Sequence, residues 1–319
     1  MKNTLIIIAG PTGVGKTEIS LKLAERAGGE IVSCDSMQIY KGMDIGSAKA
    51  DKEERERVVH HMINVVTPFD PFTVSDYKEA AETAIDDILS RGKVPIMVGG
   101  TGLYIDAVIK DLSFTDGGND KEYRNAMEAL AEDEGNEHVH SLLKAVDPVA
   151  AEKIHPNNLK RVIRALEVQH VTGKPFSSFK DTGRLNPKYD VHYFYLNKNR
   201  KDLYDGIDKR VEIMMDMGLL DEIRQLKSEG LDASFVSMKG IGYKEMLGYL
   251  DGEFSLEDAK DLVKQRSRNY AKRQLTWFRH NEYAVELSKD QYSDEEILSI
   301  LEKHANLSVK LLLVEEKRE

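Results

Sequence analysis

Apolar residues along the chain gather in short runs at 4–9, 30–33, 62–66, 94–98, 191–196 and 283–287, separated by stretches of helical periodicity. Each run has strand length, and strands alternating with helices are the signature of parallel βα units. An open α/β sheet with helices on both faces is expected. One intervening helix is well marked. Thr73 with Asp76 forms a capping box, Tyr77, Ala81, Ile85, Ile88 and Leu89 recur at helical spacing, and Gly92 closes the helix before VPIMV. Between Leu112 and about Tyr189 the strand signals vanish, and helices are predicted near 121–134, 137–145 and 157–172. The reading is a helical insertion domain, 113–189, set into a core made of 1–112 and 190–319. After VHYFYL the pattern is helical again, with an amphipathic pair broken at Gly218, and the tail SVKLLLVEEKRE fits either a short strand or a frayed end.

A chain of 319 residues can bury one large core and a satellite. No apolar run approaches the roughly 20 residues that span a bilayer, so no membrane association is expected. The run at 4–9 is too short for a signal-peptide core, which makes the cytoplasm the default location. The single cysteine, Cys34, excludes an intrachain disulfide and a multi-cysteine zinc site, and reads as a small buried residue at a strand end. His60 and His61 have no third ligand at useful spacing and read as residues leading into a strand. The net charge of −10 argues against wholesale coating by nucleic acid, but the cations are clustered. KQRSRNYAKRQLTWFRH (264–280) has no acidic residue and HPNNLKRVIR (155–164) is similar, while the acidic excess at 51–56, 131–137 and 256–261 reads as solvated helix faces. Within the first basic segment Trp277 and Phe278 are expected in the core, and the cations at the surface.

Candidate chemistry begins at LIIIAGPTGVGKT. Gly10, Pro11, Thr12, Gly13, Val14, Gly15, Lys16 and Thr17 fit GxxxxGK[ST], a phosphate-binding P-loop, with a strand before it and an amphipathic helix after it. Glycines let the backbone curl so that its N–H groups cradle phosphate oxygens at a helix N-terminus. Lys16 supplies a point charge, and the Thr17 hydroxyl is placed to hold Mg²⁺. NTP-hydrolysing relatives of this loop usually carry a second apolar strand ending in Asp. Here the obvious candidate, VPIMV, ends in Gly99 and Gly100, which favours an enzyme that grips a pyrophosphate without hydrolysing an NTP. EIVSCDSMQIY instead delivers Asp35 to the carboxyl end of the sheet, where ligands bind in open α/β folds and an acid can take a proton from a nucleophile.

GPTGVGKT, DSMQIYKGMDIGSAK, VGGTGLY, RALEV, KGIGYKEM and KRQLTWFR, in that order and spacing, resemble the tRNA dimethylallyltransferase (tRNA isopentenyltransferase) family. The resemblance runs from the P-loop to about residue 280. It implies a P-loop nucleotide-kinase-like parallel sheet core with a helical, tRNA-binding insertion and a helical C-terminal part. It also implies a prenyltransferase that moves dimethylallyl from its diphosphate to N6 of the adenosine immediately 3′ of the anticodon. Residue by residue, Asp35 matches the acid that deprotonates the adenine amine and Thr12 the contact to the bridging oxygen of the departing diphosphate. Gly13 to Thr17 match the diphosphate cradle, with Thr17 toward Mg²⁺ and Arg210 a second cation on the diphosphate. The tRNA contacts implied are Asp35, Ser36, Met37, Gln38, Thr101, Arg124, and Lys160, Arg161, Val162, Ile163 and Arg164. Lys239, Lys244, Lys272, Arg273 and Arg279 complete them. Partners follow as the tRNA anticodon stem-loop and dimethylallyl diphosphate, with the protein acting as a monomer and ATP binding left open.

Three alternatives share the P-loop, one of them a non-catalytic RNA-binding module with a relic loop, which the presence of Thr12, Lys16, Thr17 and Asp35 disfavours. A small-molecule kinase needs a γ-phosphate acceptor and usually an arginine-bearing lid, and has no use for Asp35 or the basic helix. An adenylate isopentenyltransferase uses the same donor with a free nucleotide. The helical insertion and the basic helix favour tRNA.

Overall fold

The computed structural model describes residues 3–110, 120–179 and 183–315. By its internal contacts the chain divides into two compact units, Met1–Ile109 with Leu185–Glu319, and Lys110–Arg184. The expected start of the insertion at 113 lies outside the described residues.

The first unit opens with β1 (Asn3–Ala9), α1 (Lys16–Ala27), β2 (Gly29–Cys34), α2 (Lys52–Arg57), β3 (His60–His61), α3 (Val74–Ser90), β4 (Val94–Gly99) and α4 (Gly102–Ile109). The second unit holds α5 (Lys121–Glu134), α6 (Asn136–Val146), α7 (Pro148–Lys153) and α8 (Leu159–Thr172). The first unit then resumes with β5 (Tyr189–Asn197), α9 (Arg200–Asp216), α10 (Leu219–Ser228), α11 (Tyr243–Leu250), α12 (Leu256–Arg279), β6 (Ala284–Ser288) and α13 (Asp294–Glu315). The six strands form one sheet in the order β3-β2-β4-β1-β5-β6, every neighbouring pair parallel.

β1 lies inside the sheet, with Ile7 beside Met97 on one side and Tyr193 on the other. Its side chains alternate between faces, as strand geometry requires. Ile6 and Ile8 pack with Ile19 and Leu23 of α1 and Leu298 of α13, whereas Leu5 and Ile7 pack with Tyr77 and Ile85 of α3 and Ile105 of α4. A third cluster joins Ile39 and Met43 of the β2–α2 segment to Ile223, Tyr243, Met246 and Val263 of the C-terminal helices. In the insertion unit Val139, Leu143, Val162 and Leu166 form a separate core.

The capping box of α3 is present: Thr73 Oγ1 accepts from the Asp76 amide at 3.2 Å, and Asp76 Oδ2 accepts from the Thr73 amide at 2.8 Å. Gly218, with φ 99°, breaks α9 from α10 where the sequence placed the break. The strand expected at 62–66 is displaced. Only His60 and His61 pair in the sheet, and Met62 and Asn64 take left-handed backbones that end the extended run. Asn64 is held there because its side-chain oxygen accepts from the buried Lys49 ammonium at 2.7 Å. In the tail, α13 runs to Glu315, and residues 316–319 lie outside the described residues. No helix among the described residues is long and apolar enough to cross a membrane.

Candidate active site

A cavity of about 440 Å³ opens at the carboxyl ends of β1, β2 and β4, walled by the P-loop, the segment after β2, and the faces of α9 and α12. Gly13 and Gly15 have φ of 78° and 90°, left-handed backbones that favour glycine at these two positions of the loop. Lys16 opens α1, and its ammonium donates to the carbonyls of Gly10 and Pro11 at 2.9 Å each. Neither acceptor carries a formal charge. Lys16 is half-buried as a residue, and burial of its ammonium, then the neighbouring Arg210, lower its pKa to about 8. Arg210 of α9 is also depressed, chiefly by burial, and has no ion-pair partner among the described residues. Asp35 acts in the opposite direction on both cations, placing its charge close to theirs. An enclosed concentration of positive charge without a matching internal counter-ion is a site for an anion.

Asp35 follows β2 directly. Its Oδ1 accepts from the Met37 amide at 2.8 Å, and Thr101 Oγ1 accepts from the Ser36 amide at 3.2 Å. The segment that continues from Asp35 is pinned twice more. Glu222 of α10 accepts from the amides of Asp44, Ile45 and Gly46 at 2.9, 2.7 and 3.2 Å and from the Tyr243 hydroxyl at 2.8 Å. Lys49 donates to Tyr40 O at 2.6 Å and to the side chains of Asp44 and Asn64. Asp35 is therefore presented from a stiff support. Cys34 beside it is fully buried, and burial pushes its thiol pKa far up, so it is a packing residue.

A family model described as IPP transferase matches residues 38–281. Among solved structures, the full-length tRNA isopentenylpyrophosphate transferase of Bacillus halodurans is similar at 42% identity and TM-score 0.71, covering 97% of this chain and 99% of that one. The tRNA delta(2)-isopentenylpyrophosphate transferase of Staphylococcus epidermidis is similar at 41% identity and TM-score 0.71, covering 96% and 99%. A eukaryotic dimethylallyltransferase acting on tRNA is similar at 32% identity and TM-score 0.77, covering 92% of this chain and 76% of that one. The chain belongs to the IPP transferase family. It is thus a prenyltransferase on a P-loop α/β fold. The P-loop and Asp35 precede the segment matched by the family model, so their assignment rests on their own sequence and geometry.

The expected site residues of this IPP transferase fall into three groups. Thr12, Gly13, Gly15, Lys16, Thr17, Asp35, Ser36, Met37, Gln38, Arg210, Lys239 and Arg273 all line the one cavity. Gln38 is also committed to the fold: its Oε1 accepts from Ser33 at 2.8 Å and its Nε2 donates to Ala48 O at 3.1 Å. Gly10, Pro11 and Val14 complete the loop without lining the cavity, and Thr101 acts through the Ser36 amide. Lys244, Lys272 and Arg279 are exposed cations on α11 and α12.

The third group lies in the insertion unit. Lys160 and Arg161 are exposed on α8, but Val162 and Ile163 are buried in that unit's core, and their side chains have no surface to offer a ligand. Arg124 and Arg164 are both tied to Glu167, at 2.7 and 2.6 Å, and the carboxylate itself is fully buried. Burial pushes the Glu167 pKa up, and the hydrogen bonds from Arg124 and Arg164 outweigh it to leave a net depression. On α12 the expectation for the aromatic pair holds for Phe278, which is fully buried, and fails for Trp277, which is 43% exposed. One helix position separates them, and 100° of rotation turns one inward and the other out.

Sequence reasoning missed Glu167, Glu222 and Gln274. Gln274 carried a weak signal: it lies four residues after Tyr270, on one face of α12, inside an otherwise cationic run.

Proposed function

We propose that this protein transfers the dimethylallyl group of dimethylallyl diphosphate to N6 of the adenosine immediately 3′ of the anticodon in tRNA, releasing diphosphate. One observation carries the reading: a single cavity sets the enclosed cations Lys16 and Arg210 against the carboxylate of Asp35. Cations without a carboxylate clamp suit a diphosphate, and an acid beside them suits a nucleophile that must lose a proton. Similarity over nearly the whole chain to transferases named for tRNA and isopentenyl diphosphate supports both substrates.

In the reaction the bond from the allylic carbon to the bridging oxygen breaks, and its electron pair leaves with the diphosphate. The bond from N6 to that carbon forms, and the proton on N6 passes to Asp35. Allylic diphosphates ionise readily, so the enzyme's main task is to meet the charge that grows on the leaving group. P-loop amides, Lys16 and Arg210 do this from fixed positions, with Thr12 at the bridging oxygen. An aromatic amine is a weak nucleophile, which Asp35 orients while accepting its proton. The Thr17 hydroxyl on the cavity wall has no partner among the described residues, and a hard oxygen donor beside a diphosphate fits Mg²⁺. When bound, that ion would neutralise part of the leaving group's charge.

The target base must leave its stack to reach Asp35, as base-modifying enzymes require. Ser36, Met37, Gln38 and Thr101 shape the place it enters. Lys160 and Arg161, with Arg124 and Arg164 held by Glu167, serve the RNA backbone from the insertion, and Lys239, Lys244, Lys272, Arg273 and Arg279 serve it from the core unit. The protein acts as a monomer in the cytoplasm. Incubation with labelled dimethylallyl diphosphate and unmodified tRNA, AMP or ATP tests the reading. Label should enter tRNA alone. Label in AMP alone would make the protein an adenylate isopentenyltransferase.

A further inference from the structure

Gln274 of α12 is 5% exposed and bridges two glycine-rich turns of the cavity. Its Oε1 accepts from the Thr12 amide at 3.1 Å, and its Nε2 donates to the Gly100 carbonyl at 2.9 Å. A carboxamide has one acceptor oxygen and one donor nitrogen, and here each faces its complement, so the amide can sit only one way round. The fit leaves no slack, because a Cβ at Gly100 would stand 2.0 Å from Nε2 and 3.3 Å from Gly10 O. Gly10 O is in turn one of the two carbonyls that receive Lys16. The same face of α12 brings Tyr270 and Arg273 to the cavity wall.

We propose that Gln274 is a positioning residue for group transfer: it fixes the main chain of Thr12, and so the aim of the Thr12 hydroxyl and the seating of Lys16, against the helix that carries the basic surface. The inference rests on the P-loop's being the donor site. Hydrogen bonds made by a P-loop amide normally point to phosphate; here the Thr12 N–H is given to a buried glutamine, which leaves the Thr12 hydroxyl as the group free to meet the ligand. Gln274 touches no reacting atom and works through Thr12.

Gln274→Met keeps the volume and removes both hydrogen bonds, and Gln274→Asn keeps the amide but withdraws its reach. In each, kcat at saturating substrates should fall about tenfold, the effect of a buried hydrogen bond lost from the machinery, with KM for tRNA within about twofold of wild type. Pyrophosphate binding by calorimetry, without RNA, should weaken by less than kcat falls. Gly100→Ala should mimic the loss from the other side, and the double variant with Gln274→Met should be no slower than the slower single. Normal kcat in a folded Gln274 variant overturns the proposal. So does a rise in tRNA KM alone, which would make Gln274 part of the RNA grip, or a fully additive double variant. If wild type itself fails to bind pyrophosphate, the reading of the P-loop as donor site falls instead.

Discussion

The cations of the P-loop cavity and the arginines of the insertion solve opposite electrostatic problems. Lys16 is answered by two backbone carbonyls, and both it and Arg210 lie close to Asp35 without an ion pair to it among the described residues. Arg124 and Arg164 close on Glu167, a fully buried carboxylate, with more than a third of each guanidinium side chain still exposed. Enclosing a charge without a partner costs stability, and the cost is sensible where a ligand of opposite sign arrives to offset it. Here two arginines share one carboxylate, so they are held in place and the cluster keeps one net positive charge. The first arrangement suits a discrete anion, whereas the second holds its remaining positive charge in a fixed place.

The sharpest way to break this contrast is at Asp35. If it is the base, Asp35→Ala lowers kcat by a factor on the order of 10² to 10⁴ with donor affinity little changed. If it is chiefly a counter-ion for Lys16 and Arg210, donor binding tightens on its removal and turnover at saturation survives. Rapid-quench single-turnover kinetics beside calorimetry separate the two.

Lys16→Ala comes next, with kcat/KM expected to fall by roughly 10² to 10³, the range for removing one preorganised donor at a developing anion. The depressed pKa of about 8 adds a pH signature. Lys16 is charged below that value and loses its proton above it, so donor affinity in wild type should decline between pH 7 and pH 9. Because an anion favours the charged form, binding at pH 8.5 should take up protons, which calorimetry in buffers of different ionisation enthalpy measures. The alanine variant should bind weakly without this alkaline limb. An unchanged limb would assign the titration to another group.

At the other pole, Glu167→Gln removes the shared charge and keeps the volume. A fully buried ion pair broken on one side costs about 3–5 kcal/mol, but the exposure of both arginines reduces this to about 1–2 kcal/mol. The folded-state pKa of Glu167 lies below its ordinary value. Its contribution is therefore complete above the unfolded value of about 4.3 and is lost as pH falls through the folded one. The difference in stability between wild type and variant, followed by chemical denaturation, should hold from pH 7 to pH 5 and shrink in stronger acid. A difference that grows in acid would contradict the pairing.

What the sequence made legible was local. The P-loop is contiguous, the capping box of α3 spans four residues, and the break at Gly218 needs only one. The short α7 went unread although Asp147 before Pro148 is a cap followed by the residue best suited to a first helical turn. The strand expected at 62–66 failed because a lysine at 49 draws Asn64 out of line, a contact that hydrophobic pattern does not encode. Site residues were legible in proportion to how local their partners are. Asp35 is reached from its own strand, whereas Gln274 meets Thr12 across 262 positions of sequence. Glu167 reads as an ordinary helical acid within RALEV until α5 brings Arg124 against it. Val162 and Ile163 belong to a basic motif by position and to the core by periodicity, and the periodicity decides their side chains.

The smallest expected effect divides the cations of α12 by the same criterion of compensation. Lys264 is paired with Glu212 at 2.5 Å, Arg268 with Asp208 at 2.5 Å, and Arg266 with Glu245. These three resemble the insertion's arginines, and their loss should register in stability. Lys272 is exposed and has no ion-pair partner among the described residues, while Arg273 lies over the Tyr270 ring at 5.5 Å on the cavity wall. Lys272→Ala should weaken tRNA binding only a few-fold and reduce the slope of log affinity against log salt by about one contact, with donor binding and kcat unchanged. Arg273→Ala should reduce the slope by a similar amount and also lower kcat, because Tyr270 loses the cation that braces it on the cavity wall. Lys264→Ala, by contrast, should leave the slope as it is. The overall charge of −10 makes the measurement sharp, since this protein has little diffuse attraction for RNA against which one lost phosphate contact would be hidden. A flattened slope in Lys264→Ala together with an unchanged one in Lys272→Ala would show that internal pairing does not decide which cations meet RNA.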